Sequence, residues 1–346
     1  MIYIGEVSGK KQVRIGKESP NRHIIITGIS GSGKSVRIAD IESKIMDQGV
    51  TIVALDINGT HERTNSSTCN YISAQKDGLN IKFLDTSLVE KGRESMTNLV
   101  QYIIETLCPR EMRGACQIAA VRKAVKFAIE NREQFPNEME AILCGLKMQE
   151  ESAALGAYNH LCPILEGNIF RKSNKQIREG MLNIISLQGL NLKTQKRVAE
   201  IIMSALWREV RIFGSKRNNK LVVEIDEFQN LDFQRGSTLA EMLTEGRKYG
   251  VDLIMSTQTL SIFTKKDLAL IHQAAVKLFF QQGITDLNKV ATMIEPAHKD
   301  KWSKQLSRLK VGQAIAVGAL EIMDREISQP IVTYSDYGEK TAIKLV

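Results

Sequence analysis

The stretch that decides the fold runs from His23 to Ser35 and reads HIIITGISGSGKS. His23–Thr27 reads as a buried strand, and a glycine-rich turn follows at once. Ser35–Gln48 then reads as a helix, with Ile38, Ile41, Ile45 and Met46 on one side. The turn Gly28–Ser35 matches G-x-x-x-x-G-K-[ST] in the strand-to-helix setting that this phosphate-binding motif requires. A chance Gly/Ser turn would not need those flanks. Glycines let the backbone wrap so that successive N–H groups point at phosphates, and the helix N-terminus adds partial positive charge. The expected cradle is Gly28, Ser30, Gly31, Ser32, Gly33, Lys34, Ser35 and Val36. Lys34 is expected to bridge the β- and γ-phosphates of ATP, and Ser35 to hold Mg²⁺.

Outward from this turn, Val50–Leu55 reads as a second buried strand ending at Asp56. Leu221–Ile225 (LVVEI) reads as another, ending at Asp226-Glu227. Acids are common at strand ends, but beside a phosphate-binding turn this pair reads as a Walker B element. Asp226 would join the Mg²⁺ shell, and Glu227 would orient or deprotonate the attacking water. Val251–Ser256 is a strand ending near Gln258, whose amide can donate to a phosphate oxygen and accept from water. The alternation predicts an α/β protein: a RecA-like P-loop NTPase core with a mainly parallel sheet.

A helical insertion interrupts that core. Residues 1–22 form a short β-hairpin around SGKK, residues 23–86 and 181–335 form the core, 87–180 the insertion, and 336–346 a tail. The insertion carries helix patterns over Leu99–Leu107, Ala115–Glu130 and Glu138–Leu155, with Pro109, Pro136 and Pro163 as breakers. Core patterns resume with the strand Met181–Leu187 and a helix over Thr194–Phe213. A helix Thr238–Tyr249 closed by Gly250 follows, then strands Val276–Gln281 and Gln313–Val317.

The chain has 346 residues, 43% hydrophobic and 25% charged, which suits a globular protein and excludes global disorder. No apolar run is long enough to span a membrane, and the N-terminus lacks a signal-peptide pattern, so a cytoplasmic protein without membrane contact is expected. The five cysteines and five histidines are scattered without paired spacing, which argues for reduced thiols and against a metal site made of side chains alone. The net charge is +8, and Lys193, Lys196, Arg197, Arg208, Arg211, Lys216, Arg217 and Lys220 cluster against only Glu200 and Glu209. That run suits either a polyanion such as nucleic acid or a solvated helix face. Asp56-Ile57-Asn58-Gly59 and Thr264-Lys265-Lys266-Asp267 loosely fit GTPase motifs, but their spacing is wrong. Asp226-Glu227-Phe228-Gln229 resembles the D-E-x-Q of two-lobed helicases, yet no room remains for a second lobe. No LSGGQ-like signature supports an ABC transporter ATPase.

Taken in order, the P-loop, VALDINGTHE, ISLQGLNLKTQKRVAEIIMSALW, IDEFQN, EGRKYGVDLIMSTQ and LKVGQAIAVG resemble the HerA/FtsK superfamily of ring-forming DNA-translocating ATPases over about residues 20–335. The resemblance implies a homohexamer that threads DNA without sequence preference, uses ATP and Mg²⁺, and works with a nuclease or other effector. It also implies that Arg247, in Gly246-Arg247-Lys248, reaches the neighbouring subunit's nucleotide as a finger. Gly214–Lys220 and Phe263–Asp267 are candidate pore loops. Thr60 stands where the family often has Glu, and only about 20 residues precede the P-loop strand, too few for the N-terminal barrel of HerA proper. Other roles with the same core are an ATPase scaffold or nucleotide sensor for an anti-phage effector, or a DNA-packaging or conjugation motor.

Overall fold

The computed structural model describes residues 2–59, 61, 68–108, 112, 114–213 and 220–335. Thr60, Pro109, most of the Gly214–Lys220 candidate loop and the 336–346 tail lie outside the described residues. The chain divides into two compact units, one of residues 1–71, 177–184 and 213–346, the other of residues 72–176 and 185–212.

In the first unit, β1 (Tyr3–Val7) and β2 (Lys11–Ile15) pair antiparallel, as the hairpin pattern predicts. Next come β3 (Ile24–Thr27), α1 (Lys34–Met46), β4 (Thr51–Asp56) and β5 (Cys69–Ser73). Helices α2 (Ser87–Glu90), α3 (Met96–Leu107), α4 (Ala115–Asn131), α5 (Glu138–Lys147) and α6 (Ser152–Leu165) follow. After them come β6 (Leu182–Ser186), α7 (Leu192–Phe213), β7 (Leu221–Ile225), α8 (Thr238–Glu245) and β8 (Val251–Thr257). The chain continues through α9 (Lys265–Ile271), β9 (Val276–Phe279), α10 (Ile284–Ile294) and α11 (Lys299–Ser307). It ends with β10 (Ala314–Gly318), β11 (Leu320–Ile322), β12 (Arg325–Ile327) and β13 (Ile331–Thr333).

The nine-stranded sheet has the order β13-β10-β9-β3-β8-β7-β4-β6-β5. Its centre is parallel: β3 pairs with both β8 and β9, and β7 with both β4 and β8. β10 then runs antiparallel between β9 and β13. Strands buried on both faces need unbroken apolar runs, and β3 (IIIT), β4 (TIVALD) and β8 (VDLIMST) are buried at every position. The order brings three strand ends side by side. The Gln258 strand lies between the P-loop strand and the Asp226 strand, and ligands bind at such carboxyl ends in open α/β sheets.

A second sheet, β1-β2-β11-β12, joins the N-terminal hairpin to a hairpin near the C-terminus. The N-terminal pair is therefore half of a four-stranded layer rather than a free appendage. An isolated hairpin is marginal in water, and the extra strands stabilise it.

The second unit is helical. The single helix expected over Glu138–Leu155 is two, separated at residues 148–151, because α5 ends at its cap Met148 and the backbone is extended at Glu151 before α6 starts. Pro163 lies inside α6, in its last turns, rather than breaking it. A proline near the C-terminal end removes few intrahelical bonds. Most of helix α7 also falls in this second unit. In it Thr106 Oγ1 meets Ser204 Oγ at 2.7 Å, and the Arg197 guanidinium donates to Thr106 O at 2.7 Å.

Candidate nucleotide site

The phosphate cradle is built from three backbone ties. Ile29 N donates to Gln281 O at 2.9 Å, Gly28 N donates to Thr257 O at 3.3 Å, and Gly312 N donates to Ser32 O at 2.9 Å. The turn is thus held by the ends of β8 and β9 and by the segment before β10. Two glycines are required by that packing. A Cβ on Gly28 would stand 2.6 Å from Phe280 Cβ. Gly33, the N-cap of α1, has φ 102°, and a Cβ there would stand 2.8 Å from Gly312 N. Gly31 also has positive φ, but a Cβ there meets open space. The turn is therefore packed tightly below and open above, the shape a cradle for an anion needs.

Lys34 begins α1, and its Nζ donates to Gly28 O at 2.7 Å and Ile29 O at 3.1 Å. Burial lowers the Lys34 ammonium below the usual lysine range, while the carboxylates of Glu227 and Asp226 pull the other way. Those attractions place the ammonium and the strand-end acids in one electrostatic neighbourhood. Ser30 and Ser35 are exposed, Val36 is half-buried, and Ser32 Oγ donates to Ile29 O at 2.7 Å, so its hydroxyl serves the turn itself.

Opposite the cradle, Asp226 and Glu227 are 8% and 5% exposed. Ser256 Oγ donates to Asp226 Oδ1 at 2.5 Å, which fixes that carboxylate from the neighbouring strand. Glu227 has φ 53°, a backbone twist that turns its side chain out of the strand's alternation. Both of its oxygens accept from amides: Oε1 from Gln258 Nε2 at 2.5 Å, and Oε2 from Gln229 Nε2. The structure therefore joins Glu227 to Gln258 directly. Gln229 and Ser256 belong to the same network without having been singled out as site residues. Gln229 was visible as the last letter of D-E-x-Q, and Ser256 as the residue facing Asp226 once β7 and β8 are adjacent.

Arg37 carries no recognisable motif and is fully buried. Its guanidinium donates to Ile4 O at 2.8 Å, Thr333 Oγ1 at 3.0 Å, Ser335 Oγ at 2.7 Å and Gly312 O at 3.1 Å. It thus locks the P-loop helix to the segment that supports Ser32.

Arg247 is not brought to this cluster. It is exposed on the 3-10 turn Gly246–Tyr249, before β8 begins. The seven residues of β8 rise by about 3.3 Å each, so Arg247 stands about 20 Å from the carboxyl ends that carry the cradle. The candidate pore loop Phe263–Asp267 is also different from an exposed loop at its start. Phe263 is buried and stacks on Phe228 with ring centroids 5.1 Å apart. Thr264 and Asp267 form a capping box for α9, which accounts for the GTPase-like T-K-K-D on local grounds. In the basic run, Arg197 pairs with Glu200 and Arg208 with Glu94, each at 2.6 Å, so two of its cations are neutralised internally. Lys193 remains exposed.

A glycine-rich strand-to-helix turn with a lysine at the helix start, facing a strand-end Asp-Glu pair, defines a P-loop NTPase core with a RecA-like sheet. The family described as "Helicase HerA, central domain" matches residues 2–206, more than half of the chain, and the chain belongs to that family, among the P-loop ATPases of the HerA/FtsK type. The DNA double-strand break repair helicase HerA of Saccharolobus solfataricus is 21% identical over 348 residues, and that of Sulfolobus acidocaldarius 23% over 356. Each alignment covers 92% of this chain and 66% of the relative, so the chain spans just under two thirds of the length of these relatives. Among solved structures, VirB4 of Thermoanaerobacter pseudethanolicus superposes with a TM-score of 0.74 at 16% identity, covering 98% of this chain and 96% of that one. The bacterial conjugative coupling protein TrwB superposes with a TM-score of 0.71 at 14% identity, covering 93% and 86%. At those identities the likeness concerns the fold. Among the described residues no helix is long and apolar enough to cross a membrane.

Proposed function

We propose that this chain is an ATP-hydrolysing DNA translocase that works as a ring. The observation that carries the reading is the meeting of the Gly28–Ser35 cradle and Lys34 with Asp226 and an amide-clamped Glu227 at the ends of strands that flank β8. Open space above Gly31, the exposed Ser35 hydroxyl and the fixed Asp226 carboxylate fit a nucleotide with Mg²⁺, which Ser35 and Asp226 would hold. Mg²⁺ held there would supply neutralisation of the phosphate charge. Lys34 then leaves its two loop carbonyls for phosphate oxygens. Glu227 takes a proton from the attacking water, with Gln258 orienting the carboxylate toward it.

The distance of Arg247 from its own cradle supports action in trans. A guanidinium that cannot serve its own pocket can serve a neighbour's, and hydrolysis then depends on assembly. A ring with DNA in its centre, gripping the backbone by charge, is the reading that family membership and the net charge of +8 favour. A nuclease or other effector as working partner belongs to the same proposal.

The test is ATP turnover with and without duplex DNA of scrambled sequence, alongside the oligomeric mass. The expected result is a hexamer whose turnover rises with any duplex, falls with added salt and vanishes in Lys34→Ala. Turnover indifferent to DNA, or a monomer of full activity, would overturn the translocase reading.

A further inference from the structure

Away from the cradle, the first unit gathers three buried carboxylates around one imidazole. Glu42 lies on α1, Glu224 on β7, Asp56 at the end of β4, and His61 shortly after it. Glu42 is 3% exposed, Glu224 1% and the His61 side chain 12%. His61 Nε2 stands 3.3 Å from Glu42 Oε1 and 3.3 Å from Glu224 Oε1, and His61 Nδ1 stands 3.8 Å from Asp56 Oδ1. The donor atoms of Glu42, His61 and Glu224 all lie within 4.8 Å of one another.

Three features distinguish this cluster from a simple ion pair. Charge-assisted N–H···O bonds close to about 2.7–2.9 Å, and one Nε2 proton cannot point at two carboxylates together. Separations of 3.3 Å instead resemble the edge of a tetrahedron, about 3.4 Å, around an ion bonded at about 2.1 Å. Second, Glu224 Oε2 and His61 Nδ1 are buried without a hydrogen-bond partner. Buried polar atoms are almost always partnered, so two orphans on the very residues that meet here leave the cluster short of a partner. Third, Glu42 and Glu224 are two buried carboxyl groups that face one imidazole together, and a shared cation would relieve the crowding of acids there.

We propose that Glu42, His61 and Glu224 form a binding site for one divalent transition-metal ion of the Zn²⁺ class, with Asp56 behind the imidazole as its orienting carboxylate. One imidazole nitrogen and two carboxylate oxygens suit Zn²⁺ better than Mg²⁺, which prefers an all-oxygen shell. A carboxylate facing the second ring nitrogen of a metal-bound histidine is the usual outer partner. The site is separate from the nucleotide's ion. Glu224 sits two residues before Asp226 on the same strand, so its side chain is offset by about 7 Å along β7. Metal there fastens the P-loop helix, the Walker B strand and the segment after β4 to one another. Spacing conceals it, because the three ligands come from positions 42, 61 and 224 and form no motif.

The test uses the full chain, stripped with a chelator, without nucleotide. Zn²⁺ titration, followed by gel filtration and elemental analysis, is expected to give about one ion per chain. His61→Gln and Glu224→Gln are each expected to weaken uptake at least about 100-fold, whereas His160→Gln, an exposed histidine elsewhere, leaves it unchanged. Co²⁺ added to the unaltered chain is expected to give a visible absorption band that Zn²⁺ abolishes, a readout that needs no variant to fold. Absence of stoichiometric uptake and of the Co²⁺ band, or uptake undiminished in both variants, overturns the proposal and leaves His61 as an ion-paired imidazolium only.

Discussion

His23 opens the P-loop strand, and its titration yields a quantitative expectation. The imidazole is fully buried, its Nδ1 accepts from Leu253 N at 3.0 Å, and burial lowers it from 6.5 to about 4. A histidine held neutral in the fold stabilises it fully above pH 6.5. That contribution is lost as pH falls from 6.5 toward 4, because the unfolded chain takes up a proton that the native state resists. The gap of two and a half units is worth about 3 kcal/mol in all, and about 2 kcal/mol of it is lost between pH 7 and pH 5. The assay is urea unfolding of His23→Gln against the unaltered residue, both in a Trp207→Phe background. Trp302, on α11 in the first unit, is then the sole tryptophan reporting. Burial raises the carboxyl of Asp252, which titrates with the opposite sign, but it is common to both proteins and cancels in the difference. The difference in unfolding free energy is expected to shrink or reverse by about 2 kcal/mol at pH 5, against His23. Parallel stability profiles from pH 7 to pH 5 would refute the reasoning.

Two further outcomes follow from the site. Gly33→Ala puts a Cβ 2.8 Å from Gly312 N at a residue with φ 102°. A left-handed non-glycine residue costs about 1–2 kcal/mol, so ATP affinity measured by calorimetry is expected to fall about tenfold or more, and wild-type affinity would contradict the packing argument. Arg247→Ala is expected to bind ATP normally yet hydrolyse about 10³-fold more slowly as an assembly. Mixing it with Lys34→Ala should restore part of the activity, and failure of rescue in rings containing both subunits would remove the trans role.

Much of the central sheet was legible because its strands are unbroken apolar runs, and because Gly28–Ser35 and Asp226-Glu227 each follow such a run directly. Strand β5, Cys69–Ser73, was not, since CNYIS is short and alternates polar with apolar residues. The three-residue strands β11, β12 and β13 are too short for any period to emerge. In the candidate site, placements that depend on sequence-local chemistry were readable, as with Lys34 and Ser35 at the start of α1 directly after the glycine turn. Roles that depend on which strands become neighbours were not. Ser256 meets Asp226 only because β8 lies beside β7. Arg37 reaches Thr333 and Ser335 only because the chain returns beside β1 at Tyr334. Phe263 looked like part of an exposed basic loop, and its burial against Phe228 and Phe233 comes from tertiary packing that no local pattern encodes.

The central claim is that ATP is hydrolysed at the junction of the P-loop and Glu227. The most direct measurement is nucleotide retention and turnover in Glu227→Gln, with Mg²⁺ and duplex DNA present. An amide keeps the shape of the side chain but offers one acceptor oxygen where the carboxylate offers two, and it cannot take a proton from water. The account predicts that the variant retains ATP through gel filtration while turnover falls by about 10²-fold or more. Turnover at the level of the unaltered chain would contradict it and would move the catalytic base elsewhere.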